Sequence, residues 1–270
     1  MVSRKEPGGS RGGHLVDLAQ QSSEAPSMNL ERPPFIGTAG WGIPRAQQTA
    51  FAGEGTHLQR YAGLFNAVEI NSSFYRPHRP ATYLKWAQSV PDGFRFSVKV
   101  PKQISHERRL VDCDELLERF LLECSQLGEK LGCLLLQMPP SLAYDPTSAA
   151  GFVEALRARH EGPVVIEPRH RSWLAADSLL QQSRIARVAA DPAPFAEAAE
   201  PGGWSGFRYH RLHGSPRIYF SAYGEDWLGS LAERVAGEAK GIETWCIFDN
   251  TASGAATADA LVLRRLLGAS

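Results

Sequence analysis

The stretch Val164–Trp173, VVIEPRHRSW, decides how the whole chain is read. Three β-branched apolar residues, Val164, Val165 and Ile166, run directly into Glu167, Pro168, Arg169, His170 and Arg171. An unbroken β-branched run is the pattern of a strand buried on both faces, as in a parallel sheet. If such a strand ends in charge, the fold must bring partners to that end, because unpaired buried charge is costly.

The same signature recurs on both sides. Strand patterns lie in FIGTAG, AVEIN, FRFSVKV, CLLLQM, PVVIEP, RIARVAAD, FRYHRLH and TWCIFDN. Between them run segments of helical period: HLQRYAGLF, PATYLKWAQSV with Pro80 as its opening residue, DELLERFLLECSQLGEKL, TSAAGFVEALRARH, SWLAADSLLQQS, DWLGSLAERVAGEAK and ATADALVLRRLLG. PAPFAEAAEPGGW, after the sixth strand, holds too much Pro and Gly for a full helix. Eight alternating units in 270 residues predict an α/β fold, a single-domain (β/α)8 TIM barrel with a degenerate helix after strand six. GTAGWG lacks the G-x-G-x-x-G spacing that a doubly wound dinucleotide-binding sheet would carry, so neither nicotinamide nor flavin is expected.

Residues 1–33 are rich in Gly, Ser and Pro and read as a flexible extension, leaving 34–270 for the barrel. The chain balances 29 basic against 29 acidic residues, so no global field points to a long polyanion or a membrane surface. No run of apolar residues is long enough to span a bilayer. Cys113, Cys124, Cys133 and Cys246 form no C-x-x-C pair, which favours a reduced, cytoplasmic setting.

Barrel strands turn alternate side chains inward, and active sites collect at their C-terminal ends. With period two, strand two offers Glu69 and Asn71, strand three Ser97 and Lys99, strand four Gln137, and strand five Glu167 and Arg169. Strand six ends in Asp191, strand seven aligns Tyr209, Arg211 and His213, and strand eight ends in Asp249 and Asn250. Charges so placed should interlock in pairs of opposite sign.

These residue types suit a small anionic substrate, phosphorylated or nucleotide-like, and a hydrolase or lyase reaction. Arg169 and Arg211 are expected to grip the anion, with Lys99 adding charge or a proton. Glu167 would orient an arginine or act as base, and His213 with Asp249 would form an acid/base pair. Glu69, Asn71 and Gln137 would line the site, while Gly214 in HGSPR would let backbone approach a ligand, with Tyr223 adding a donor. Trp41 and Tyr75 are loop aromatics able to stack on a ring. Lys99 is expected to pair with Glu69 or Glu167; a Schiff-base nucleophile is the rarer use of such a lysine. A divalent metal, Mg2+ or Mn2+, held by Glu69, Glu167, Asp191, His213 and Asp249 is an alternative that would make a phosphoester hydrolase, although no metal motif is present. A module that binds an anion or nucleic acid without turnover is the non-catalytic alternative. KQISHERRL adds His106, Arg108 and Arg109 on the same side, a loop of mixed charge that reads as solvated surface or, alternatively, as a lid across the mouth.

With these blocks laid out, the chain resembles the YecE-like family, a bacterial and archaeal domain of unknown function. The resemblance rests on IGTAGW, VEINSSFY, FRFSVKVPKQISHERRL, LLLQMPPSL, VVIEPRHRSW, YHRLHGSPRIYFSAYG and FDNTASGAATADAL, and runs from about Phe35 to the C-terminus. It implies a TIM barrel and brings with it no substrate or catalytic assignment.

Overall fold

The computed structural model describes residues 33–51 and 53–268; the expected extension, residues 1–33, lies outside them except for Pro33. Strands and helices alternate as their periods predict. The first half runs β1 (Phe35–Thr38), α1 (His57–Ala62), β2 (Ala67–Ile70), α2 (Pro80–Gln88), β3 (Arg95–Lys99), α3 (Asp114–Cys124), β4 (Leu131–Gln137) and α4 (Pro146–Arg157). The second half runs β5 (Val164–Glu167), α5 (Asp177–Gln182), β6 (Ile185–Arg187), β7 (Ala189–Asp191), β8 (Gly202–Gly203), β9 (Phe207–Leu212), α6 (Glu225–Glu238), β10 (Glu243–Phe248) and α7 (Ala255–Leu266).

Local chemistry sets several of these boundaries. Thr56 and Gln59 form a reciprocal capping box at α1. Pro80 opens α2, and Asp145 accepts the Ser148 N–H at 2.8 Å ahead of Pro146 in α4. The Pro- and Gly-rich stretch after the sixth strand pattern forms only a 3-10 turn, Ala196–Ala199, and β8, which runs antiparallel to β6.

The strands form two sheets rather than one closed sheet. One has the order β1-β10-β9-β7 and the other β2-β3-β4-β5-β6-β8, and apart from β8 every pairing is parallel. The sixth strand of the sequence pattern is divided between them. Ile185–Arg187 pairs with β5 and Ala189–Asp191 with β9, while the N–H of Val188 between them donates to Ile166 at 2.8 Å.

The other border, between β1 and β2, carries a single bridge, Ala39 with Glu69, and a bond from Gly40 N–H to the Glu69 carbonyl at 2.9 Å. Below it the buried Tyr61 hydroxyl replaces the ladder, accepting from Thr38 N–H at 2.8 Å and donating to the Ala67 carbonyl at 3.1 Å. Gly37 makes this border possible, since a Cβ there would lie 2.0 Å from the Ala67 oxygen.

Two separate apolar clusters follow from the alternation. Val68, Leu134, Leu136, Val164, Ile166, Ile185, Cys246 and Phe248 pack in the cluster that includes the helices. Their strand neighbours Ala67, Cys133, Leu135, Val165, Ala186, Trp245 and Ile247 belong to a second cluster with Phe207 and Tyr209. Glu69, Gln137, Glu167, Arg211 and Asp249 lie two positions beyond members of this second cluster.

Candidate functional site at the strand C-termini

Continuing the second cluster's period toward the strand ends places Glu69 after Ala67, Glu167 after Val165, Arg211 after Tyr209 and Asp249 after Ile247. Lys99, from β3, and His213, just past β9, join them, and all six are buried. The network is balanced, with three carboxylates facing Lys99, Arg211 and Arg169, and this balance is what makes its burial tolerable.

Arg211 is the organising residue. Its Nε and Nη2 grip Glu69 as a bidentate pair at 3.0 and 2.7 Å, its Nη1 reaches Glu167 at 3.1 Å, and its Nη2 lies 3.0 Å from Asp249. Burial opposes its charge, but Asp249, Glu69 and Glu167 hold it protonated more firmly than usual. From the floor of the site, Tyr209 donates to Glu69 at 3.1 Å and contacts Ser97 Oγ at 3.0 Å.

His213 stands between two carboxylates. Its Nδ1 is 3.0 Å from Asp249 Oδ2, and its Nε2 is 2.8 Å from Glu167 Oε1 and 2.7 Å from Arg169 Nη2. Protonated, Nε2 donates to Glu167; deprotonated, it accepts from Arg169. The atom therefore has a partner in either state, the requirement for moving a proton without rearrangement. Arg169 also pairs with Glu167. Burial pushes the Glu167 carboxyl up, but Arg211, Arg169 and His213 outweigh it and hold the group well below the usual carboxylate range. Burial likewise raises Asp249, and Arg211, His213 and Lys99 bring it below its ordinary value.

Lys99 departs from expectation. It was expected to pair with Glu69 or Glu167, but the fork of Arg211 occupies both, because a planar guanidinium matches several carboxylates better than a point charge. Among the described residues the Lys99 ammonium has no ion pair or hydrogen bond; it lies 4.3 Å from the centre of the Phe74 ring. Burial and the Arg211 charge lower its pKa, the three carboxylates pull it back, and the balance is about 8.

The other candidates divide. All three nitrogens of Arg211 are engaged with carboxylates, whereas Arg169, 13% exposed, keeps a buried Nε with no partner. Asn71 lies half-buried at the end of β2 with an unpaired Oδ1, and Gln137 sits beside Glu167 across the β4–β5 register. Asn250 turns away to Ser221 and Asp259. The tight approach at Gly214 (φ +88°) is to the protein itself, with Ser221 O 2.5 Å from where a Cβ would sit. Tyr223 is a strut, donating to Asp191 and accepting from Gly214 N–H while stacking on Trp227 at 4.0 Å. Trp41 packs edge-on against Trp86, and Tyr75, 68% exposed, stands edge-on to Phe74.

Sequence reasoning left out Phe74, whose only signal is its place four residues past β2, in INSSFY. Tyr209, aligned with Arg211 by period two, had no role assigned from the sequence. Two loops complete the surroundings. Gln103–Glu107 make one π-helical turn that sets His106 edge-on to Phe74 at 5.0 Å, and Tyr219 (φ +70°) folds back to place its ring 5.8 Å from His213. Arg109 instead holds Ser141, so this part of the expected lid is tied down. A cavity of about 470 Å³, lined by Thr38, Gly40, His57, Thr251 and Gly254 among others, opens at the ends of β1 and β10.

Of the carboxylates that could ligate a divalent metal, Glu69, Glu167 and Asp249 face guanidinium groups, and Asp191 accepts from the Tyr223 hydroxyl. Among the described residues no three His, Cys, Asp or Glu side chains are arranged to hold a metal ion. No described helix is long and apolar enough to cross a membrane.

Comparison with known proteins gives one consistent result. The family model described as "Protein of unknown function DUF72" matches residues 35–270. The UPF0759 protein YecE of Escherichia coli (strain K12) is 31% identical over 175 residues, 62% of either chain. The UPF0759 protein YunF of Bacillus subtilis (strain 168) is 26% identical over 147 residues, 52% of either chain. The chain thus matches less than two thirds of the length of these relatives. Among solved structures, a DUF72 family protein from Enterococcus faecalis V583 superposes with a TM-score of 0.73 at 22% identity, covering 88% of this chain and 96% of the other. Another, from Thermotoga maritima MSB8, gives 0.73 at 24% identity, covering 87% and 99%. At these identities the structural likeness establishes a shared mixed α/β fold with parallel sheets.

Proposed function

The chain belongs to the DUF72 family of proteins of unknown function, and we propose that it is an enzyme acting on a small anionic substrate at the C-terminal ends of its strands. The observation that carries this reading is that two cations of an otherwise interlocked network keep unpaired donors. Arg169 Nε is buried without a partner, and Lys99 has no ion pair among the described residues. A phosphate or carboxylate of the substrate is the partner that these donors lack.

On this reading Arg169 grips the anion, Lys99 adds charge or reacts, and His213 moves the proton between substrate and Glu167. Asp249 orients the imidazole through Nδ1, and Arg211 holds the three carboxylates in place. The two sheets are parts of one (β/α)8 barrel over residues 34–270. Supporting this are the Ala39–Glu69 bridge, the strand shared across Val188 and the second apolar cluster, drawn from the inward residues of both sheets.

The test is a thermal-shift titration of the wild type and Arg169→Ala with sulfate, nucleoside monophosphates, sugar phosphates and a short single-stranded oligonucleotide. A saturable rise in Tm in the wild type and none in the variant is expected, with about 2.7 kcal/mol of stabilisation at a ligand concentration a hundred times Kd. If no ligand shifts the wild type, the anionic-substrate reading falls. Turnover of a ligand found this way, lost in Glu167→Gln with binding retained, separates an enzyme from a binding module.

A further inference from the structure

We propose that Lys99 is a covalent catalytic residue whose ε-amine condenses with an aldehyde or ketone carbonyl of the substrate to form an imine. The proposal narrows the anionic-substrate reading to anions that also carry a carbonyl, and it is tested apart from that reading. Three geometric observations carry it. The side chain is only 5% exposed, which weakens the hydration of its charge. The carboxylates that would fix it as an ammonium are bound by Arg211 instead. Its Nζ faces the Phe74 ring rather than an oxygen.

An amine in these surroundings gains by exchanging a small, strongly hydrated ammonium for a larger, more weakly hydrated iminium. The neutral amine attacks the carbonyl carbon, forming a C–N bond as the carbonyl π pair moves to oxygen. One proton passes from nitrogen to that oxygen and a second comes from solvent. The C–O bond then breaks, water leaves, and the nitrogen lone pair closes C=N to give the iminium. Its positive charge rests over Phe74 and within the field of Glu69, Asp249 and Glu167, the carboxylates that already act on Lys99. Arg211 opposes the charge, and His106, whose own protonation is disfavoured first by burial and then by Lys99, flanks it across Phe74.

Borohydride trapping tests the proposal on the full chain. Wild type, Lys99→Arg and Lys99→Met are incubated with propanal, a neutral probe, or with glyoxylate, an anionic one, then reduced with sodium cyanoborohydride and mapped by peptide mass spectrometry. The expected result is an adduct concentrated on Lys99 and missing from both variants. At pH 8 an amine titrating near 8 has roughly a hundredfold larger neutral fraction than a solvent lysine near 10.4. In the wild type alone, labelling of Lys99 should level off above about pH 8 while that of exposed lysines keeps rising. If Lys99 labels no faster than exposed lysines with either probe, the proposal is overturned, whatever the anion titration shows. If propanal labels Lys99 and glyoxylate has no advantage, the reactive amine stands and the anionic-substrate reading fails.

Discussion

Arg211 is the residue on which the site's charge balance depends, and its loss leaves three buried carboxylates facing one another. Arg211→Met should cost about 3–5 kcal/mol in chemical denaturation at pH 7, as removal of one partner from a buried ionic network does. A cost below about 1 kcal/mol would show that the carboxylates are not held apart by this guanidinium. Lys99 works the other way. Its folded pKa lies below the unfolded value, so its charge destabilises the fold at neutral pH, and the penalty disappears as pH rises from about 8 to 10.5. Lys99→Met should therefore stabilise the protein at pH 7 by up to about 3 kcal/mol, with the gain vanishing near pH 10.5. Parallel stability curves for the two proteins would contradict the burial of an unpaired ammonium. Glu167 and Asp249 have depressed values, so their contribution is complete above the unfolded carboxylate range, near pH 4 to 5, and is lost as pH falls through the folded values. Glu167→Gln should flatten the acid limb of the stability profile. The convergence of Glu69, Glu167, Arg211, His213 and Asp249 was legible from period two, because shared strand face and strand end are local properties. The absence of a partner for Lys99 was not, because it results from competition with Arg211.

Among the elements, the border between β1 and β2 is where side-chain chemistry replaces the ladder. Tyr61→Phe removes the hydroxyl that joins Thr38 N–H to the Ala67 carbonyl, leaving buried polar groups unsatisfied at a cost of about 1–3 kcal/mol. A melting temperature unchanged from wild type would mean that water replaces the hydroxyl. The strands and helices themselves were readable because each repeats its own period: the apolar run of β4 and the Leu and Phe spacing of α3 need no distant partner to declare themselves. The division of the sixth strand was not readable. RIARVAAD reads as one strand, and only the positions of β5 and β9 make Val188 the point where it changes neighbours. The lack of a full helix after it was readable, since Pro192, Pro194, Gly202 and Gly203 oppose one wherever the segment lies.

At the level of the whole molecule, the reading of the two sheets as one barrel makes a measurable claim. If they form one cooperative unit, the border amides Gly40 and Val188 should exchange with deuterium as slowly as amides within β4 and β9. Exchange faster by orders of magnitude at both borders would mean that the sheets open independently. By itself the sequence determined the alternation of strand and helix, which residues share a strand face and the gathering of charge at strand C-termini. Each of these follows from periodicity and burial within about twenty residues. Tertiary structure decided which charge meets which. Glu69 and Arg211 are 142 positions apart, and Coulomb attraction and hydrogen-bond geometry choose between Arg211 and Lys99 only once the strands have come together at a definite register.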